Sequence, residues 1–98
     1  MTVRWGIDIS HYNNLPLAKV QELKDNGCSF VIIKGGGTYW KDPSFDLHIN
    51  NFSQVGIPIG VYLWGDPIEQ ANEQVDWFRA IMDTYMNIIN CVMLDAEQ

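Results

Sequence analysis

"FVIIK", residues 30–34, is the stretch whose reading decides the fold. It is too short for a buried helix, and its apolar residues would occupy both faces of an extended chain. Such a strand suits a parallel sheet covered by helices better than an antiparallel sheet with one wet face. Three more runs share its character: "VRWGIDIS" (3–10), "IGVYLWG" (59–65) and "CVMLDAE" (91–97), rich in Val, Ile, Leu and aromatic residues.

Amphipathic segments fill the gaps. A first helix is expected from about Leu17 to Asn26, with Pro16 near its opening turn, Val20 and Leu23 inward, and Gly27 ending it in a left-handed conformation. A second follows "KDPSF" (41–45), capped by Asp42 or Ser44, with Phe45, Ile49, Phe52 and Val55 as its buried stripe and Gly56 as its stop. The third follows "GDP" (65–67), with Asp66 as N-cap, Pro67 in the first turn and Glu69 supporting the positive end of the helix dipole. Its apolar stripe is expected at Ile68, Ala71, Val75, Phe78, Met82 and Tyr85, and its polar stripe at Gln70, Glu73, Gln74 and Asp76.

The resulting order is βαβαβαβ, the pattern of parallel strands joined by crossover helices. A (β/α)8 barrel needs at least about 200 residues. With 98 residues the chain is expected to be α/β, the first half of a TIM-like barrel: about four βα units around a parallel sheet, residues 1–98 forming a single domain. A complete small open sheet is the structural alternative.

Composition narrows the function. A 47% hydrophobic share with 12% aromatics argues for a globular chain. Six basic against twelve acidic residues give a net charge of −6 with no run of Lys or Arg, which argues against nucleic acid or an anionic membrane as partner. No apolar run approaches the roughly 20 residues that span a bilayer. "MTVRWGID" enters a strand pattern without a leader, so phage-type release or a separate export route is expected. Cys28 and Cys91 match no zinc or CxxC spacing and are expected as two buried free thiols, with a disulfide as the alternative. "GGG" (35–37) lacks the spacing of a phosphate loop and is read as backbone freedom after the second strand.

In α/β folds of this kind the chemistry gathers at the carboxyl ends of the strands. The first strand ends in Asp8, Ser10 and His11, the second in Lys34, the third carries Tyr62 and Trp64, and the last ends in Asp95 and Glu97. By alternation Asp8 shares a face with Gly6 and Ser10, Lys34 with Phe30 and Ile32, Tyr62 and Trp64 with Gly60, and Asp95 with Glu97. If those faces point to one axis, three acids, a lysine and two aromatics converge at one mouth.

"GIDISHYN" (6–13), "FVIIKGGGTYWKDPSF" (30–45), "NNFSQVGIPIGVYLW" (50–64) and "LDAE" (94–97), in this order, resemble the N-terminal half of the glycoside hydrolase family 25 lysozymes, the Chalaropsis-type N-acetylmuramidases. The resemblance covers nearly the whole chain. It implies a peptidoglycan hydrolase of lysozyme or endolysin type, acting extracellularly on the bacterial cell wall. The bond cut would be the β-1,4 link between N-acetylmuramic acid and N-acetylglucosamine, with no metal or cofactor. By the family's pattern Glu97 is the general acid. Asp95 raises its proton affinity by like-charge repulsion, and with Asp8 it binds and polarises the sugar. Tyr62, Trp64, Lys34, Ser10 and His11 are the implied substrate contacts.

Plainer readings stand beside these. Asp8 could brace the following loop, Lys34 could neutralise acids, Tyr62 and Trp64 could be core, and Asp95 with Glu97 could be a solvated acidic end. His48, on the second helix, is expected at the surface. The chain departs from the family at "GGG", where a Lys-Ala-Thr-Glu-Gly-like run is common, at "YLWG", and in lacking the family's late aspartate. The nucleophile is open between a carboxylate and the substrate's own N-acetyl oxygen. The alternative function is a non-catalytic peptidoglycan-binding or assembly module, a half-barrel that pairs with a second copy through its open edges.

Overall fold

The computed structural model describes residues 4–37, 39–65 and 71–96, with Ala71 and residues 94–96 described by backbone alone. The elements are β1 (Trp5–Ile9), α1 (Leu17–Asp25), β2 (Cys28–Gly37), β3 (Trp40–Lys41), α2 (Phe45–Val55), β4 (Ile59–Gly65), α3 (Ala71–Met82) with a 3-10 turn over Asp83–Tyr85, and β5 (Ile89–Ala96). The strands form one sheet in the order β1-β2-β4-β5, every neighbouring pair parallel, and β3 adds an antiparallel pair on β2. The expected βαβ order is therefore present, with β3 as a strand the sequence reading did not anticipate.

Strand alternation assigns the two faces of the sheet. Val31, Ile33, Ile59, Val61 and Leu63 point to the helices and are at most 2% exposed, packed with Phe45, Ile49 and Phe52 of α2 and Val20 of α1. Burying each large side chain contributes roughly 1.5–3 kcal/mol, so this layer supplies the core. The other parity is open: Phe30, Trp64 and Met93 are 41%, 45% and 44% exposed. Strands apolar on both faces led to an expectation of cover on both. Among the described residues the helices cover one.

Local signals place α1 and α2 as expected. Gly27 and Gly56 follow the two helices with φ of 93° and 90°, the left-handed conformation that a side chain disfavours. Ser44 stands at the N-cap of α2 without a side-chain cap bond, and Asp42 instead accepts a hydrogen bond from the Ser44 amide at 2.8 Å.

The face of α3 differs from the expected stripe. Val75 is 45% exposed whereas Gln74 is 7% exposed, and the buried set is Gln74, Phe78, Ile81 and Met82. The Trp77 indole donates to the Gly37 carbonyl at 3.1 Å and fixes the helix against the end of β2. Val75 is left with Phe78, Met82, Met86 and Val92 in an apolar groove beside edge strand β5. The expected cap and first turn at Asp66, Pro67, Ile68, Glu69 and Gln70 lie outside the described residues. Both cysteines are free, and Cys28 is buried, but Cys91 is exposed because it sits on the edge strand, opposite Gly60.

The three glycines are part of β2 rather than a loop after it. β3 folds back so that Gly36 pairs with Lys41 and Gly37 with Trp40. A β-carbon on Gly36 would collide with the Trp40 carbonyl oxygen, while one on Gly37 would meet its nearest neighbour, the Trp64 carbonyl, at 3.5 Å. Gly36→Ala is therefore expected to destabilise the chain by about 1–3 kcal/mol, as backbone overpacking does. Gly37→Ala should change stability by no more than about 1 kcal/mol. Chemical denaturation of the two variants checks this, and equal losses would contradict the close approach.

Candidate functional site

Register sets the candidate residues in rows. Asp8 pairs with Ile32, Ile32 with Gly60 and Gly60 with Cys91; Lys34 pairs with Tyr62 and Tyr62 with Met93; Trp64 pairs with Asp95. Partners in a parallel ladder share a face, so positions 8, 34, 62, 64 and 95 all belong to the uncovered face near the carboxyl ends of their strands. Position 95 lies two rows beyond that of Asp8, a climb of four residues from Cys91 to Asp95 across three strand steps. A barrel of eight strands and shear eight staggers its layers by about one residue per strand. The climb here, four residues over three steps, is slightly larger than that.

Aromatic and charged groups crowd this rim. The Lys34 ammonium lies 4.9 Å from the Trp64 ring centroid and 5.3 Å from that of Trp40, held between two exposed indoles by cation–π attraction. Among the described side chains it makes no ion pair, so the reading of Lys34 as a neutraliser of acids has no partner there. Burial pushes the Tyr62 phenol above its ordinary ionisation range, and the Asp8 and Asp42 carboxylates push it further in the same direction. A phenol keeps its proton at neutral pH in any case, and these surroundings hold it to higher pH still, so Tyr62 can donate a hydrogen bond. Flat indole faces beside a cation and a phenol donor can stack a ligand with an apolar face and bond its polar edge.

The loop after β1 is held from α2 and the segment before it. Asp42, 1% exposed, accepts from the His11 amide at 3.0 Å through the same oxygen that lies 3.0 Å from His11 Nδ1. His48 Nε2 lies 3.0 Å from the Ser10 carbonyl, and Asn51 Nδ2 donates to the Leu15 carbonyl at 3.2 Å. His48 is thus 1% exposed rather than on the surface: the loop it braces covers it. Ser10 uses its own groups within the loop, its amide donating to Asn13 Oδ1 at 3.0 Å and its hydroxyl accepting from the Tyr12 amide at 3.3 Å.

Of the residues expected at the site, Asp8, Lys34, Tyr62 and Trp64 lie on the shared face, and His11 lies beside it on the loop. Asp95 is placed by backbone, and Glu97 lies outside the described residues. Two residues at the rim were missed. Trp40 sits in a two-residue strand too short for any periodic signal, and Asp42 was read only as a cap. Three consecutive glycines followed by aromatics hinted at a hairpin. Among the described residues no group of three or more His, Cys, Asp or Glu is arranged to hold a metal ion.

Residues 7–98 match the family model of the glycosyl hydrolases family 25, and the chain belongs to that family. A muramidase from Trichobolus zukalii is 27% identical with a TM-score of 0.77, over 94% of this chain and 45% of that one. A bacterial lysozyme from Streptomyces coelicolor is 31% identical with a TM-score of 0.71, over 82% of this chain and 37% of that one. The modular autolysin LytC from Streptococcus pneumoniae, solved in complex with a synthetic peptidoglycan ligand, is 26% identical with a TM-score of 0.76, over 93% of this chain and 22% of that one. No curated protein sequence matches the chain. The chain spans less than half the length of these solved structures, and its sheet and helices have the fold of the N-terminal part of the family's TIM-like barrel.

The Tyr62 environment yields a measurement. Because burial is the larger cause and the acids the smaller, Asp8→Asn is expected to lower the ionisation of Tyr62 only part of the way toward 10.0, its ordinary value. The raised value also means that folding loses stability as pH rises from about 10 through the folded-state value, and Asp8→Asn should weaken that dependence. Carbon-13 NMR of the tyrosine Cζ against pH reads both proteins. An unshifted Tyr62 titration in Asp8→Asn would separate Asp8 from the site.

Proposed function

We propose that the chain is the N-terminal half of the catalytic barrel of a peptidoglycan hydrolase acting outside the cell on the bacterial wall. It cleaves the β-1,4 bond between N-acetylmuramic acid and N-acetylglucosamine. The observation that carries this reading is the parallel register that lines up positions 8, 34, 62, 64 and 95 on one face at the carboxyl ends of the strands. Membership of the glycosyl hydrolase family supports it, as does likeness to a muramidase and to an autolysin solved with a peptidoglycan ligand.

In this reading Glu97 protonates the leaving glycosidic oxygen. Asp95, two residues before it in sequence, carries a charge that would raise the proton affinity of Glu97 where the two carboxyl groups lie close. Asp8 and Asp95 orient and polarise the sugar while positive charge develops at the anomeric carbon. Tyr62 donates to a hydroxyl or N-acetyl oxygen, and Trp40 and Trp64 supply stacking faces. The oxocarbenium-like centre is then met by a carboxylate or by the substrate's N-acetyl oxygen. Release of muramic-acid reducing ends from purified cell walls tests the activity in the protein that carries this chain. Glu97→Gln is expected to reduce the rate by about 10²–10⁴, the usual contribution of general acid catalysis. Full cleavage by that variant would remove Glu97 from the role.

A second reading is favoured by the open face and by the position of β1 and β5 at the two sheet edges. By itself the 98-residue chain self-associates, two four-strand halves meeting edge to edge as a peptidoglycan-binding module. Sedimentation equilibrium of the isolated chain is expected to show dimers or larger species. A stable monomer with a sharp cooperative melt would count against it.

A further inference from the structure

The chain has two histidines, and the geometry holds them as opposite tautomers. His11 Nδ1 lies 3.0 Å from Asp42 Oδ2. A buried carboxylate oxygen that already accepts the His11 amide has no hydrogen to give, so the ring nitrogen carries it. In the neutral ring Nε2 is then a bare acceptor. For His48 the assignment reverses: Nε2 faces the Ser10 carbonyl at 3.0 Å and must be the donor, which leaves Nδ1 bare, buried and without a hydrogen-bond partner among the described residues.

The two rings differ in what they can reach. His48 is 1% exposed and its acceptor nitrogen is sealed in the protein. The His11 side chain keeps 26% of its surface open. It packs at 4.0 Å against the ring of Tyr12, and its edge meets Trp40 at 5.3 Å. Trp40 in turn flanks Lys34, opposite Trp64. His11 therefore stands on the same rim as the stacking faces, with one nitrogen anchored and the other without a partner among the described residues.

We infer that Asp42 is a positioning residue that fixes His11 as the Nδ1–H tautomer, presenting Nε2 at the rim as a hydrogen-bond acceptor for a hydroxyl or acetamido N–H of an amino-sugar ligand. The ligand class rests on the proposed function, whereas the positioning does not. Asp42 suits the task because every donor it meets is fixed by backbone or by the ring itself: the Ser44 amide on one oxygen, and the His11 amide and Nδ1 on the other. A neutral or shorter side chain would leave these donors opposed or unpaired. The ring would then be free to take the Nε2–H form, which offers a donor where the ligand needs an acceptor.

Long-range proton–nitrogen correlation on the nitrogen-15-labelled full chain reads the ring tautomers directly, with His11→Phe assigning the signals. The expected result is one ring of each kind, His11 as Nδ1–H and His48 as Nε2–H. Titration with N-acetylglucosamine oligomers, and separately with soluble glycan strands from peptidoglycan, should move the His11 Nε2 signal toward lower frequency. It should leave the His48 Nδ1 signal in place. His11→Phe is expected to weaken binding by roughly five- to tenfold, the worth of one hydrogen bond, while keeping the fold. Asp42→Ala should shift the His11 signals toward the Nε2–H form and weaken binding at least as much. A wild-type His11 found as Nε2–H overturns the positioning role, whatever the variants do. A signal unmoved by saturating saccharide, or full binding by His11→Phe, overturns the ligand contact and leaves Asp42 as a structural brace. Absence of any saccharide binding by the wild-type chain, with the tautomers as expected, instead defeats the functional reading and the ligand contact with it.

Discussion

Alternation along parallel strands forces a division between the two faces of this sheet. Val31, Ile33, Val61 and Leu63 turn to the helices and lose nearly all contact with water. The intervening positions, Ile32 and Lys34, Gly60, Tyr62 and Trp64, must turn the other way. A one-residue slip in any ladder would exchange the sets, placing Lys34 and Tyr62 against Phe45 and exposing the isoleucines. The cost of that exchange makes the register firm, and the register in turn decides which polar groups can meet. Core packing thus fixes the chemistry of the opposite face without touching it.

What packing leaves undetermined is the course of the loops, and here polar bonds act. The segment after β1 runs from Ser10 to Leu15 beside α2; Asp42 binds two groups of its His11, and His48 and Asn51 bind the Ser10 and Leu15 carbonyls. Burying a carboxylate is costly unless its oxygens are satisfied. Asp42 meets this condition with three N–H donors, two from His11, 31 positions away, and one from Ser44 in its own turn. Truncating it would leave those donors unpaired, so the segment between Asp8 and α1 is bound to the start of α2 more tightly than its exposed position suggests. The same carboxylate, after burial and Asp8, adds to the upward shift of the Tyr62 phenol.

How much of this the sequence revealed follows from which forces leave a periodic trace. Strands β1, β2, β4 and β5, the stripe of α2 and the stops at Gly27 and Gly56 repeat or punctuate the chain at fixed intervals, and they were legible. The convergence of Asp8, Lys34, Tyr62 and Trp64 followed from alternation alone. Features set by a single distant contact left no such trace. His48 fits a polar position on α2, yet a loop 38 residues away covers it. Val75 completes the expected stripe of α3, but the Trp77 bond to Gly37 fixes the helix with Gln74 inward, and no element among those described covers the Val75 side. β3 is two residues long, and only its pairing with Gly36 and Gly37 defines it.

Closure of the open face and chemistry on it are linked by the dielectric. The lowest row of that face is apolar, with Phe30 beside Gly6, where a side chain would collide with the Phe30 ring; Ile32 and Met93 add apolar surface in the next two rows, beside Asp8 and beside Lys34 and Tyr62. The acidic positions begin at Asp8, one row above Phe30, and reach position 95 beside Trp64. A carboxyl group at an open rim is solvated and releases its proton near the ordinary range, which suits a sugar-binding anion but not a proton donor. A proton is retained at neutral pH when water is excluded and a second anion lies close. The apolar floor supplies one wall of such an enclosure, and the rows above it end at Trp64 beside position 95. Any surface that packs on this face would bury Phe30 and Met93, which are 41% and 44% exposed, and the same contact would exclude water from the rim. In the proposed reading, cover over this face and retention of a proton by the acid would be coupled, because both depend on removing water from the same surface.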